Sequence, residues 1–339
     1  MDNRITKERL YNLMSYEWVL MIIILLVGIL VFEFFFNFFG VQLTTGQNFK
    51  YYYDVNVDYT LEGGLIDVLY DKENPTFSYD VLLVSGEVVK DEDNILSSRM
   101  RIQEGDVIIS DVKVAEDNSV RARRIIDSDT EIPIYHFEKL LLDGRKYLSK
   151  FLKDEFLTLS EAEKMEKTKD KNNLSTEKID GAFLLRMKKD NRFRTEEQKS
   201  LGKTYERERI FRLVKEFNDF SHLLEVGDEY GLLYRYTKFT QRKELAVDEE
   251  TEKLYDDLIN VEKKAGKENV VYGLKVENLK GGKHNPSEFF KLSGGSDAKD
   301  VVIMVFDFLS YQEELQFETV CYINSIVRAC SDIFKKDII

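Results

Sequence analysis

The sequence predicts an α/β protein carried on one amino-terminal transmembrane helix, and three observations predict it. Residues 18–40 hold an apolar run, Val19 to Phe32, followed by Glu33 and a phenylalanine-rich end. Downstream, apolar runs of strand length alternate with segments whose apolar residues recur at helical spacing. The composition is that of an ordered globular chain, with 43% hydrophobic residues and only three prolines in 339, room for one large or two modest domains.

Crossing a hydrocarbon core takes about 20 mostly apolar residues in a helix, which satisfies its own backbone hydrogen bonds. Trp18 and Tyr16 precede the stretch, and Phe38, Phe39 and Tyr51 to Tyr53 follow it, as interfacial aromatics do. A buried core helix is the alternative, but no comparably apolar partner helix exists in the chain. Arg4, Lys7 and Arg9 lie before the span and only Lys50 in the fifteen residues after Gly40, which places the amino terminus in the cytoplasm. The apolar region exceeds a signal peptide's, and residues 38–42 offer no small-x-small cleavage pattern. The expected organisation is a cytoplasmic segment 1–17, the span 18–40, a tether 41–50 and an extracytoplasmic domain 51–339. Glu33 stands in the outer third of the span, where a carboxylate is costly and points to a polar partner or an approach to water.

The net charge of -13 at pH 7 argues against nucleic acid and anionic lipid as partners. The two cysteines, Cys321 and Cys330, fall on the last predicted helix. Nine residues at 100° each set them on opposite faces about 13 Å apart along the axis, beyond the roughly 7 Å a disulfide allows.

Tyr53-Asp-Val-Asn-Val-Asp-Tyr59 alternates like a strand, and residues 60–71 carry Leu61, Leu65, Ile66 and Leu69 at helical spacing. Residues 79–85 read as a nearly continuous apolar strand ending at Gly86. Residues 93–104 read as a short helix closed by Gly105, and 106–112 as another buried strand. A long amphipathic helix or helix pair is predicted over 136–157. The charged stretch 161–178 reads as a solvated helix. A second long helix opens at Thr195, whose Thr-x-x-Gln198 pattern is a capping box, and its core stripe is Ile210, Leu213, Val214, Phe217, Phe220, Leu223 and Leu224. Strands follow over 230–240, 270–276 and 301–308, with a helix over 248–264. Ser310-x-x-Glu313 caps the final helix.

Helix, Gly105 and "DVIISD" after the strand "YDVLLVSGE" resemble the first lobe of type II extracytoplasmic solute-binding proteins. "VVYGLKV", then "VVIMVFDF" and a long closing helix, is similar to that family's tail. The likeness touches residues 51–112 and 268–335. It implies a two-lobed, periplasmic-binding-protein-like type II domain with helical insertions: lobe 1 from about 51–135 and 300–339, lobe 2 from about 136–299. It implies recognition of a small solute or peptide, with an ABC-type transporter as partner. The central helical region, the retained anchor and the absence of tryptophan after Trp18 depart from the family's pattern.

In open α/β layers ligands sit beyond the carboxyl ends of the strands, where loop amides and helix amino termini converge. That nominates Thr60, Ser85, Gly86, Ser110 and Asp111 as ligand-binding residues, with Tyr272 and Gly273 from the second lobe. Ordinary strand-end polarity explains the same residues. Asp127-x-Asp129-x-Glu131 with Glu138 imitates a calcium loop but has Ile132 where that loop needs glycine, so a solvated turn is expected. His136, His222 and His284 have no metal-ligand spacing. Residues 280–286 lack the P-loop order, and no Gly-x-Ser-x-Gly or Ser-x-x-Lys motif occurs. No catalytic residue, metal or cofactor is assigned. The basic island 188–194 reads as a partner contact or a solvated helix entry. Three functions stand in order: solute or peptide recognition, a scaffold or regulatory subunit of a membrane complex, and a cell-surface enzyme.

Overall fold

The computed structural model describes residues 18–39, 47–54, 57–59, 76–89, 105–112, 134–154, 156–235, 270–292, 295–307 and 317–335, with single residues at 7, 8, 11, 249 and 253. The chain divides into two compact units, Met1–Thr44 and Thr45–Ile339.

The first unit holds α1 (Trp18–Phe39), 22 residues, about 33 Å of helix at 1.5 Å per residue. Every described side chain on it is exposed. Among the described residues no helix is long and apolar enough to cross a membrane.

The second unit is α/β. Its main sheet runs β3 (Leu83–Val89), β1 (Asn48–Asp54), β4 (Val107–Asp111), β8 (Val301–Val305), β6 (Val271–Lys275), β5 (Leu233–Arg235). β1 is parallel to both β3 and β4, while β8 is antiparallel to β4 and β6, and β5 antiparallel to β6. β2 (Val57–Tyr59) pairs antiparallel with β7 (Phe290–Leu292) in a small second sheet. Every residue of β4 and β8 is buried, which is why both read as continuous apolar runs and not as alternating ones. Phe49, Tyr51, Val107, Ile109, Ile303 and Val305 belong to one core cluster and Tyr52, Ile108, Val302 and Met304 to another, as the period of two demands.

Helices pack on the first of these faces. α2 (Phe137–Ser149) brings Phe137, Leu140 and Leu148, α5 (Glu196–Val226) brings Ile210, Leu213, Phe217 and Phe220, and α6 (Glu318–Cys330) brings Val320, Ile323 and Val327. Each such side chain contributes about 1.5–3 kcal/mol by leaving water. α5 starts as expected: Thr195 Oγ1 accepts the Gln198 amide, and Gln198 Oε1 accepts the Thr195 amide. Cys321 and Cys330 are buried free thiols on α6.

Several boundaries differ from expectation. Tyr51 and Tyr52 are 1% and 0% exposed inside β1; they are core residues, and the strand begins within the stretch read as a tether. The strand expected over 53–59 is split between β1 and β2. The stretch 161–178 is not merely a solvated helix: it forms α3 (Glu161–Lys167), a 3-10 turn and the start of α4 (Thr176–Arg186). Backbone bonds from Lys153 to Asn173 and from Ser175 to Phe151 fasten it, and Ile179 and Phe183 are buried. α6 starts at Glu318, and the cap at Ser310 lies outside the described residues, as do the helices expected over 60–71 and 93–104; of the helix expected over 248–264 only Glu249 and Lys253 are described, both helical.

β5 and β6 come from the stretch assigned to a second lobe, yet they hydrogen-bond into the main sheet, and α2 and α5 share its core. Among the described residues there is one large sheet, and a two-lobed arrangement is not seen.

Candidate functional site

The residues nominated as a ligand edge are distributed by strand register over two ends of the sheet. β3 begins at Leu83, not Tyr79, so Ser85 and Gly86 are inside the strand, paired with Lys50 and Tyr51 of β1. Tyr51 in turn pairs with Val107, the first residue of β4. Ser85 Oγ donates to Asn48 Oδ1 at 3.1 Å. A Cβ on Gly86 would stand 2.1 Å from the Tyr51 ring, so glycine there admits that ring. Gly273 pairs with Met304, which also pairs with Ile108, and a Cβ on it would meet the Ile303 carbonyl oxygen at 2.6 Å. Tyr272 is half-buried, its ring 4.7 Å from that of His136.

Ser110 and Asp111 alone stand at the carboxyl end of β4, paired with Val302 and Val301. They lie about 10 Å or more along the strand from the level of Ser85, Gly86 and Tyr272. Asp111 is 4% exposed. Beside it the Val112 amide donates to the Asp300 carbonyl, and the Asp300 amide to Glu277 Oε2. Asp300 has φ 63, a left-handed conformation that aspartate tolerates better than most residues. Thr60 lies outside the described residues, as do Asp127, Asp129 and Glu131. Glu138 is occupied in α2, where its carboxylate accepts the Val271 amide at 3.1 Å. Among the described residues no group of three or more His, Cys, Asp or Glu is placed to hold a metal ion.

Among the described residues the densest polar constellation is elsewhere, where residues 76–80 meet α4, α5 and α6. Glu206 and Arg209 are each 2% exposed, Glu318 1% and Asp80 0%. Arg186 bonds both Asp80 and Glu206, the latter at 2.8 Å. Arg192 reaches Asp80 at 2.9 Å and Asp190 at 2.7 Å. Arg209 holds Glu206 and the Tyr147 hydroxyl, and Arg212 holds Glu318 at 3.1 Å. Tyr79 donates its hydroxyl to Glu206 Oε2 at 2.8 Å. Further along α5, Glu216 and Asp219 pair with Arg328 of α6.

The electrostatics follow from this pairing. Burial and the adjacent Glu206 and Asp80 charges push the Tyr79 phenol well above its ordinary range. Burial also raises Glu206, but Arg209 and Arg186 outweigh it and leave the carboxyl below its usual value. Burial and Arg209 pull the Arg186 guanidinium down, yet Glu206 and Asp80 outweigh both and hold it above its ordinary range. Tyr79 is thus held protonated among these ion pairs, and its hydroxyl serves Glu206 as a hydrogen-bond donor.

Sequence reading missed this cluster, though a signal was present. Glu206, Arg209, Arg212 and Glu216 recur every three or four residues among Ile210, Leu213 and Phe217, so charges share a side of α5 with its apolar stripe. The basic island resolves into it: Arg192 is engaged by Asp190 and Asp80, and Arg194 by Asn191. Comparison with protein-family models, with curated proteins and with solved structures finds no match.

Proposed function

We propose that the chain is a single-pass membrane protein, amino terminus in the cytoplasm, whose extracytoplasmic domain acts by docking onto another membrane protein as a scaffold or regulatory subunit. The observation that carries this reading is the strand register. It puts Ser85, Gly86 and Tyr272 at one level of the sheet and Ser110 and Asp111 at the other, so these groups do not converge on one small solute. The membrane placement rests on the composition of residues 18–40 and on Arg4, Lys7 and Arg9 before them. Glu33 fits a polar contact with a partner helix.

Solute or peptide recognition, with an ABC-type transporter as the neighbour, is the second reading. The order β3-β1-β4 sets the first three parallel strands out as 2-1-3, and ligands of such sheets sit at the switch point between the first and third. Ser110 and Asp111 end the strand at that point. The two-lobed type II fold belongs to this reading.

The test is thermal unfolding of the full chain in vesicles, alone and with a panel of sugars, amino acids, peptides and divalent ions. A ligand at 100 times its dissociation constant adds about 2.7 kcal/mol. The docking reading expects no shifted midpoint, and a shift with one chemical class overturns it in favour of solute recognition. Alkaline carbonate extraction checks the anchor: the full chain stays with the membrane, and deletion of 18–40 releases it.

A further inference from the structure

Residues 76–80, which lead into the outer strand β3, cross the molecule from α6 to the α4–α5 corner. Thr76 Oγ1 donates to Ser325 Oγ at 2.9 Å, and the Ser78 amide donates to Glu318 Oε2 at 3.1 Å. Phe77 stacks on Tyr322 and packs against Phe49. Tyr79 bonds Glu206, and Asp80 bonds Arg186 and Arg192. Four of the five residues are thus tied by side-chain hydrogen bonds or ion pairs to the helices. Buried ion pairs usually resist opening because removing one partner strands the other in a dry site. Here every body-side group keeps a second partner. Arg192 retains Asp190 at 2.7 Å, Arg186 retains Glu206 at 2.8 Å, Glu206 also retains Arg209 at 3.0 Å, Glu318 retains Arg212 at 3.1 Å, and Ser325 Oγ still donates to the Cys321 carbonyl at 2.8 Å.

We propose that residues 76–80 form a releasable strap, which lifts from the α4–α5 corner and α6 as a local unit while the sheet and helices stay folded. Asp80 goes to water, where its charge is solvated, and each arginine it leaves keeps one carboxylate partner, Arg192 its own Asp190 and Arg186 the Glu206 that it shares with Arg209. Release uncovers the Phe49 and Tyr322 rings and the Glu318 carboxylate, and it frees the leading end of β3, where Leu82 and Leu83 are already exposed. The strap is therefore a conformational device by which a contact at the helical corner reaches the outer strand of the sheet.

The Ser78 amide reports on it directly, because its acceptor is the Glu318 side chain. Amide hydrogen exchange of the full chain in detergent micelles compares it with Ile109 and Ile303, paired at the centre of β4 and β8. Asp80→Asn is expected to speed exchange at Ser78 by about tenfold or more and to leave Ile109 and Ile303 unchanged, the pattern of a local opening. Arg328→Gln, which touches α5 and α6 but not the strap, leaves Ser78 unchanged. Equal acceleration at Ser78 and Ile109 means the segment opens only with the whole domain and overturns the proposal; so does an unchanged Ser78. If Asp80→Asn does not fold, Tyr79→Phe, which removes one hydroxyl, decides by the same comparison.

Discussion

The Asn324 side-chain amide donates to both the Glu216 carbonyl oxygen and Glu216 Oε2, each at 2.8 Å. This buried pair fixes the register of α6 on α5, because one side chain reads a backbone and a side-chain oxygen of the same residue. Arg328 meets the same carboxylate one turn later at 2.5 Å. Asn324→Ala removes the amide and leaves the Glu216 carbonyl without that donor. A loss of about 2–3 kcal/mol is expected, read as a lower urea midpoint at unchanged slope. Asn324→Asp is expected to cost more, since it sets a second carboxylate against Glu216.

Glu206 is the hub of the buried cluster, bonded by Arg186, Arg209 and Tyr79. Glu206→Gln removes the charge that two guanidiniums share and is expected to cost about 3–5 kcal/mol, the usual penalty for an uncompensated buried charge. Replacing Glu206 and Arg209 together by Leu and Met is expected to recover much of that loss. A double-mutant cycle by denaturant unfolding checks the coupling, and additive losses would show that the two act independently.

α2 and α5 approach closely at Gly144, where a Cβ would stand 1.9 Å from the Phe217 ring. In an exposed helix Gly→Ala gains about 0.5–1 kcal/mol of propensity. Here overpacking outweighs it, and a net loss of about 1–3 kcal/mol is expected. Phe217→Leu alone leaves a cavity, but combined with Gly144→Ala it makes room for the methyl. A double variant more stable than either single one confirms that ring and glycine are complementary. Melting midpoints of the three variants decide.

What was legible in the sequence divides by physical range. The Thr195 capping box, the α5 stripe and strands β4, β6 and β8 were readable because each is set by near neighbours: a cap three residues away, a period of 3.6, an unbroken apolar run. The start of β3 was not readable, because Tyr79 and Asp80 run into Val81 to Val84 with no break in the sequence. Only Glu206, Arg186 and Arg192, far along the chain, draw them off the strand. Tyr51 and Tyr52 looked like interfacial aromatics because their nearness to an apolar span was visible and their pairing with Val107 and Ile108 was not. The ligand edge failed for the same reason. A strand-end residue is defined by register, and register is a long-range property.

Asp106 carries the last prediction. Its Oδ2 accepts the Lys50 amide at 2.7 Å, and its own amide donates to the Lys50 carbonyl. Loss of solvent around the carboxyl, opposed by the Lys50 amide and aided by the Glu318 charge, pushes it from 3.8 up to about 7. Between those values the folded chain holds a proton that the unfolded chain releases. This group's contribution to stability therefore falls as pH rises from about 4 to about 7 and is lowest above 7. Asp106→Asn keeps an acceptor for the Lys50 amide without the charge. It is expected to stabilise the chain at pH 8 by on the order of 1–2 kcal/mol, under the ceiling of about 4 kcal/mol that such a shift sets. The gain is expected to vanish near pH 4. Urea unfolding of both chains from pH 4 to 8 measures the difference directly, and a gain that does not change with pH would show that Asp106 acts through packing and not through its proton.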